Sequence, residues 1–136
     1  MSIQLAAIAE NKEICTKIVS DFVRAKTSIN GDKTENIRIA IKEAFSNVID
    51  HAYGNTKGSV YISVKISNNT ITIKITDKGK GISEDLSEVM EPLYSTGDPE
   101  FHSGLGFTVM DVYSDSLSVK TKVGKGTTIT LKFNYN

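Results

Sequence analysis

Two stretches of alternating apolar residues, joined by a short polar turn, constrain the fold of this chain most strongly. Apolar side chains occupy every second position over residues 60–66 and again over residues 71–75, with Ser67-Asn68-Asn69-Thr70 between them. Because successive side chains of a strand point to opposite faces, this pattern predicts a β-hairpin with one buried face. A second hairpin is predicted near the end of the chain, over residues 117–123 and 127–133.

Helical periodicity precedes the first hairpin. A first helix is predicted over residues 10–24, and a second is predicted to end near residue 52. Asp32-Lys33-Thr34-Glu35 is typical of a capping box at the start of the second helix, and Gly54 suits a left-handed cap at its end. The predicted apolar faces are Ile14, Ile18, Val19, Phe22 and Val23 on the first helix, and Ile37, Ile41, Ala44, Phe45, Val48 and Ala52 on the second.

The order of these elements predicts the fold class. Residues 2–8 are predicted as a short first strand, and a third helix is predicted to end near residue 113. Two helices, a hairpin, a long connection, a helix and a hairpin favour an α+β fold. We expect a two-layer α/β sandwich, with an antiparallel or mixed sheet covered on one face by helices. With 136 residues, of which 39% are hydrophobic, the chain is expected to form one domain over residues 1–136.

Charge and cysteine content exclude several classes of protein. Sixteen basic and sixteen acidic side chains give a formal net charge of zero, so nothing indicates general binding to nucleic acid or to membranes. We expect a cytoplasmic protein, since no apolar stretch approaches membrane-spanning length and no signal segment is evident. The single cysteine, Cys15, is expected to be buried. Neither His51 nor His102 has zinc-ligand spacing, and P-loop and dinucleotide fingerprints are absent.

Three polar features are candidates for function. Asp77-Lys78-Gly79-Lys80-Gly81 follows the second strand of the first hairpin, where backbone and carboxylate can approach a ligand, although such loops are also common in ordinary turns. Glu43 and Asn47 lie one turn apart on the second helix, a pattern also typical of a solvated polar face. Ser103-Gly104-Leu105-Gly106 opens the third helix with free N–H groups suited to phosphate.

In this order, these motifs resemble those of the GHKL (Bergerat-fold) ATPases. The matching segments are Glu43-x-x-x-Asn47, Asp77-x-Gly79-x-Gly81, a lid-length connection over residues 82–103, Ser103-Gly104-Leu105-Gly106, and Gly126-Thr127-Thr128 in the last hairpin. The whole chain resembles the anti-sigma factor serine kinases of this superfamily, in particular the sporulation sigma-F anti-sigma factors. The resemblance implies an α/β sandwich that binds ATP and magnesium.

The resemblance also implies a role for each nucleotide-binding residue. Asp77 would accept the amino group of adenine, with Thr127 in support, and Gly79 and Gly81 would leave room for the base. The phosphates would be bound by Ser103, Gly104, Leu105 and Gly106, largely through backbone amides. Asn47 would hold Mg²⁺ through its amide oxygen, and Glu43 would orient or deprotonate an incoming serine hydroxyl.

By the same resemblance, the protein would be an ATP-dependent serine kinase and an anti-sigma factor. It would act as a homodimer that sequesters an RNA polymerase sigma factor and phosphorylates a serine of an anti-anti-sigma factor. Three features depart from the family pattern. His102 stands where close relatives carry an arginine, and the segment 82–103 holds six acidic residues, Glu84, Asp85, Glu88, Glu91, Asp98 and Glu100, but no lysine or arginine. The first helix also lacks an arginine at the place where the closest relatives use one to contact sigma.

Three alternatives remain open from the sequence. The chain could be a catalytically weak ATP-binding module that regulates a partner by sequestration only. It could be a detached catalytic module of a sensor histidine kinase, which requires a separate protein to carry the phosphoacceptor histidine. A small interaction domain that binds no nucleotide is the third possibility.

Overall fold

The computed structural model describes residues 1–54, 56–82 and 106–136, and these form five strands and three helices. The strands are β1 (Ser2–Ala6), β2 (Ser59–Ser67), β3 (Thr70–Asp77), β4 (Ser116–Lys122) and β5 (Gly126–Asn134). The helices are α1 (Glu10–Lys26), α2 (Gly31–His51) and α3 (Phe107–Tyr113).

The strands form one sheet in the order β1-β2-β3-β5-β4, and every neighbouring pair is antiparallel. Both predicted hairpins are confirmed, and so is the α+β class. Asn68 and Asn69 connect β2 and β3 with φ angles of 53° and 58°, the left-handed conformation that a two-residue hairpin turn requires and that asparagine tolerates.

The hydrophobic core lies between one face of the sheet and the helices. Alternate residues of β2, β3, β4 and β5 are buried, as the sequence pattern predicts. The predicted apolar face of α2 is buried throughout its length. Cys15 is also in this core, as expected, and burial raises the pKa of its thiol to about 12. A thiol that stays protonated at neutral pH is a packing group and a poor nucleophile.

Two details of the helices differ from the prediction. Ile14 is 48% exposed, because the buried stripe of α1 runs through Cys15, Val19 and Val23, one position around the helix from Ile14. The capping box at Asp32 was wrong, since Asn30 is the N-cap and its side-chain oxygen accepts from the N–H of Lys33 at 2.8 Å. The left-handed conformation predicted for Gly54 after the end of α2 is confirmed, since its φ angle is 58°.

None of the helices in the described ranges is long and apolar enough to cross a membrane. The predicted lid segment lies outside the described residues, apart from Ile82 at its start. Ser103, Gly104, Leu105 and His102 also lie outside them.

Candidate functional site

The glycine loop after β3 is held between the end of α2 and the β4–β5 turn. The N–H of Lys80 donates to the carbonyl oxygen of Ala52 at 2.8 Å, and the N–H of Gly124 donates to the carbonyl oxygen of Lys80 at 2.8 Å. The hydroxyl of Tyr53 accepts from the N–H of Lys78 at 2.9 Å. The loop is therefore fixed by backbone contacts with two other parts of the chain.

Close contacts between backbone segments explain both glycines of this loop. A Cβ atom at Gly79 would overlap the carbonyl oxygen of Ala52, and one at Gly81 would overlap that of Lys122. The predicted role of both glycines, to leave room for a base, stays a prediction. The structure adds a separate requirement, because the chain's own backbone already occupies the space that a side chain at either position would need.

Asp77, the last residue of β3, places a carboxylate inside the protein. It is 5% exposed, and its Oδ1 accepts from the N–H of Gly79 at 2.9 Å. Burial raises the pKa of the Asp77 carboxyl above its ordinary value of 3.8, while bonds from the backbone N–H groups of Gly79 and Thr127 act in the opposite direction. The arrangement provides a fixed acceptor beside the loop, with little competition from water.

A buried pair of threonines connects Asp77 to Ile82, the residue that follows the glycine loop. Thr127 is the register partner of Asp77 on β5, and its hydroxyl lies 2.8 Å from the hydroxyl of Thr121 on β4. The Thr121 hydroxyl also accepts from the N–H of Ile82 at 3.0 Å. Thr121 thus links the Thr127 side chain to the residue that leaves the glycine loop. The sequence did not point to Thr121, because one threonine in an alternating strand carries no signal of its partners.

Replacing Thr121 by valine is expected to destabilise the fold by about 1–3 kcal/mol, since the buried N–H of Ile82 would lose its acceptor. Valine keeps the shape of threonine, and chemical denaturation would isolate the effect of the hydroxyl. Thr121→Ser is the matched control, and it should retain most of the stability. A valine variant as stable as the wild type would show that the hydroxyl contributes nothing here.

The polar stripe of α2 is the second part of the site. Asn47 is 7% exposed, although an amide is seldom buried without partners. Among the described residues, the buried side-chain atoms without a hydrogen bond are Oδ1 of Asn47 and Oγ1 of Thr108. An acceptor in this state is costly for the folded protein unless a ligand completes it. Asp50 and His51, further along α2, are exposed.

Glu43, one turn before Asn47, contacts the start of α3. Gly106 occupies the N-cap position of α3 with a φ of 74°, and an ideal Cβ built there would lie 2.7 Å from Oε2 of Glu43. The Glu43 carboxylate therefore lies directly against the backbone of Gly106. The structure brings these two predicted site residues together, and the positive φ angle of Gly106 favours glycine at this position.

α2 connects the two ends of the site. Its C-terminal end contacts the glycine loop through Ala52, and Glu43 contacts Gly106. The stretch from Glu43 to Ala52 is about 13 Å long at the α-helical rise per residue. Asn47 lies between these contacts. From the C-terminal end of α2 towards its N-terminal end, the site thus consists of the Asp77 loop, the unsatisfied amide oxygen of Asn47, and the Glu43 carboxylate beside the backbone of Gly106.

The described residues contain no cluster of three or more histidine, cysteine, aspartate or glutamate side chains that could hold a metal. Asn47 alone still fits Mg²⁺, which prefers oxygen ligands and commonly keeps several waters and substrate phosphates in its coordination sphere. When water and substrate phosphates supply the other ligands of Mg²⁺, the protein needs to contribute only one oxygen, such as the unsatisfied amide oxygen of Asn47.

Comparison with known proteins identifies the class to which this fold and site belong. Residues 6–133 match the family described as histidine kinase-like ATPase domain. The chain therefore belongs to the family of histidine kinase-like ATPase domains, as the motifs indicated.

Within that family the chain is similar to proteins named anti-sigma F factor. It is 36% identical over 137 residues to that of Clostridium botulinum (strain Eklund 17B / Type B), an alignment that covers 100% of this chain and 94% of the relative. It is 36% identical over 129 residues to that of Thermoanaerobacter sp. (strain X514), covering 95% and 89%. It is 37% identical over 132 residues to that of Anoxybacillus flavithermus (strain DSM 21510 / WK1), covering 96% and 89%.

Proposed function

We propose that this chain, as one domain over residues 1–136, is an ATP-dependent serine protein kinase and an anti-sigma factor. The observation that carries the proposal is the order along α2, where Asn47 lies between the Asp77 loop and the Glu43–Gly106 contact. Membership of the ATPase family and the similarity to anti-sigma F factors support it. In this proposal the protein is a cytoplasmic homodimer, which light scattering of the purified protein tests directly.

The buried carboxylate of Asp77 selects adenine in this proposal. Ionised, it is only an acceptor, and the exocyclic amino group of adenine is a donor. Its second oxygen and the Thr127 hydroxyl are held by the β3–β5 pairing and by Thr121. Because these groups are fixed before a ligand binds, little conformational entropy is lost on binding.

Asn47 holds the metal that accompanies the nucleotide. Its unsatisfied Oδ1 would ligate Mg²⁺, which supplies charge neutralisation to the phosphates when bound. The helix fixes the backbone of Asn47, and burial of its side chain, which is 7% exposed, restricts the positions that the amide oxygen can take. Ser103, Gly104, Leu105 and Gly106 are the proposed contacts of the phosphates.

Glu43 receives the proton of the substrate serine. As the serine oxygen bonds to the terminal phosphorus of ATP, the bond from that phosphorus to the bridging oxygen breaks and ADP leaves. The hydroxyl proton passes to the Glu43 carboxylate, which lies against Gly106, beside the proposed phosphate contacts. Phosphoryl transfer depends mainly on the positions of the reacting groups, and α2 is a rigid element that holds Glu43 in place.

The experiment that tests the function is transfer of labelled terminal phosphate from magnesium-ATP to candidate anti-anti-sigma proteins. We expect labelled serine on one of them, and nucleotide-dependent retention of one sigma factor in a pull-down with the same protein. ATP binding and sigma retention without labelling would instead establish the sequestering module. Absence of ATP binding would overturn both proposals.

Replacing Asp77 by asparagine is expected to weaken ATP binding about tenfold to a hundredfold, the usual effect of losing a hydrogen bond to a charged group. Isothermal titration calorimetry measures the change. Asp50→Asn is the matched control, because Asp50 is an exposed residue of α2, and it should leave ATP affinity unchanged. Equal affinity in the Asp77→Asn variant and the wild type would exclude Asp77 from the base pocket.

The same variant should be at least as stable as the wild type at neutral pH. Since burial raises the pKa of Asp77 above 3.8, the folded protein keeps a proton over a pH range in which the unfolded chain has released it. Wild-type stability therefore falls as the pH rises through that range. The Asp77→Asn variant avoids this loss, so its advantage should grow with pH and vanish below 3.8. Denaturation of both proteins across this range measures the trend.

A further inference from the structure

The outward face of the sheet, turned away from the helices, is rich in lysine. The outward positions of β2–β5 carry Lys65, Lys74, Lys120, Lys122 and Lys132, and we call these outward positions the lysine face. The remaining side chains of this face are serine, threonine, one asparagine and one tyrosine, without a single aspartate or glutamate. A chain whose formal net charge is zero thus has one face of uniformly positive charge.

The lysines of this face have no acidic partners among the residues that the structure describes. The ion pairs found there are Lys17–Asp21, Lys33–Asp115, Arg38–Glu35 and Lys42–Glu13, and none of them involves the lysine face. Unpaired like charges on one surface repel one another, and a partner of opposite charge relieves that repulsion.

The lysine face is also concave. A groove of about 560 Å³ is lined by Lys65, Lys74 and Lys132 together with serine and threonine hydroxyls. Lys65 and Lys132 lie in one cross-strand row on either side of Thr72, so their backbones are about 10 Å apart. A second groove, of about 730 Å³, adjoins the edge of the face at Lys120 and Lys122, but Asp77 and Thr127 also line it, so it belongs to the candidate nucleotide site. Ammonium groups at the rims and hydroxyl donors at the floor suit carboxylates.

We propose that the lysine face is a docking surface for an acidic surface of a partner protein. A second copy of this chain does not fit, because pairing two lysine faces would bring like charges together. Nucleic acid fits poorly, since the face carries no arginine and its one aromatic ring, Tyr61, is covered by the ammonium group of Lys78 at 4.8 Å. This proposal is independent of phosphoryl transfer.

The test is binding of fluorescein-labelled poly-L-glutamate, followed by fluorescence anisotropy at two ionic strengths. We expect saturable binding that weakens with salt, and about tenfold weaker binding by the triple variant Lys65→Glu, Lys74→Glu and Lys132→Glu, because each exposed charge pair contributes modestly. The control Lys17→Glu, Arg24→Glu and Lys26→Glu makes the same change in net charge on α1. It should bind within about twofold of the wild type.

Other outcomes would overturn the proposal. Equal weakening by both triple variants would show an effect of net charge alone, and unchanged binding by the first variant would exclude this face. A single-stranded oligonucleotide or phosphatidylserine vesicles that bind more tightly through the same lysines would assign the face to another partner. Carbodiimide coupling of probe carboxylates to lysines gives a second measurement, which needs no variant to fold. Linkages at Lys65, Lys74 and Lys132 support the proposal, and linkages confined to α1 overturn it.

Discussion

Glu43→Gln is expected to reduce phosphoryl transfer about a hundredfold to ten-thousandfold, the range typical of losing a general base. Glutamine keeps the size of the side chain and its place against Gly106, but it accepts no proton from serine at neutral pH. Because glutamine keeps the contact with Gly106 and Glu43 makes no contact with the glycine loop that would bind adenine, nucleotide affinity should change little. Single-turnover labelling gives the transfer rate, and calorimetry gives the affinity.

The matched control is Glu35→Gln on the same helix. Glu35 is an exposed side chain that lies 3.8 Å from Arg38, and its replacement should leave both transfer and binding unchanged. A Glu43→Gln variant that transfers phosphate at the wild-type rate would remove Glu43 from the mechanism. A variant that loses ATP binding and transfer together would make Glu43 a binding residue.

Much of the fold could be predicted because burial and periodicity coincide. Alternation over residues 60–66 and 71–75 predicted β2 and β3, and the Asn68-Asn69 turn fixed their pairing. The place of β5 between β3 and β4 could not be read in this way, since strand order depends on contacts distant in sequence. Ile14 was misassigned for a related reason. Apolar character shows that a residue can be buried, but packing of α1 against α2 and the sheet decides which of its apolar residues are buried.

The candidate site was predictable where its residues are close in sequence. Glu43 and Asn47 share a helix, so their spacing alone placed them on one stripe. Thr121 and Ala52 could not be found, because their contributions arise from contacts with Thr127, Ile82 and the glycine loop. Asn30 shows the same limit on a smaller scale. Asn30 and Asp32, two residues apart, could each cap α2, and only the backbone conformation distinguishes them.

Gly79→Ala is expected to destabilise the fold by about 3 kcal/mol and to abolish ATP binding. The added methyl group would overlap the carbonyl oxygen of Ala52, and a backbone contact cannot relax by a change of rotamer. Movement of the loop would also disturb the bond from the Gly79 N–H to Asp77, the proposed adenine acceptor. Chemical denaturation measures the stability, and calorimetry on the folded fraction measures the affinity.

Gly31→Ala separates this effect from the general cost of adding a methyl group. Gly31 begins α2, and a Cβ there meets nothing within 4 Å, so alanine should stabilise the helix by about 0.5–1 kcal/mol. The pair also distinguishes two reasons for Gly79. A Gly79→Ala variant with wild-type stability and no ATP binding would mean that glycine leaves room for the base. Loss of both would mean that the backbone contact with Ala52 is what requires glycine and holds Asp77 in place.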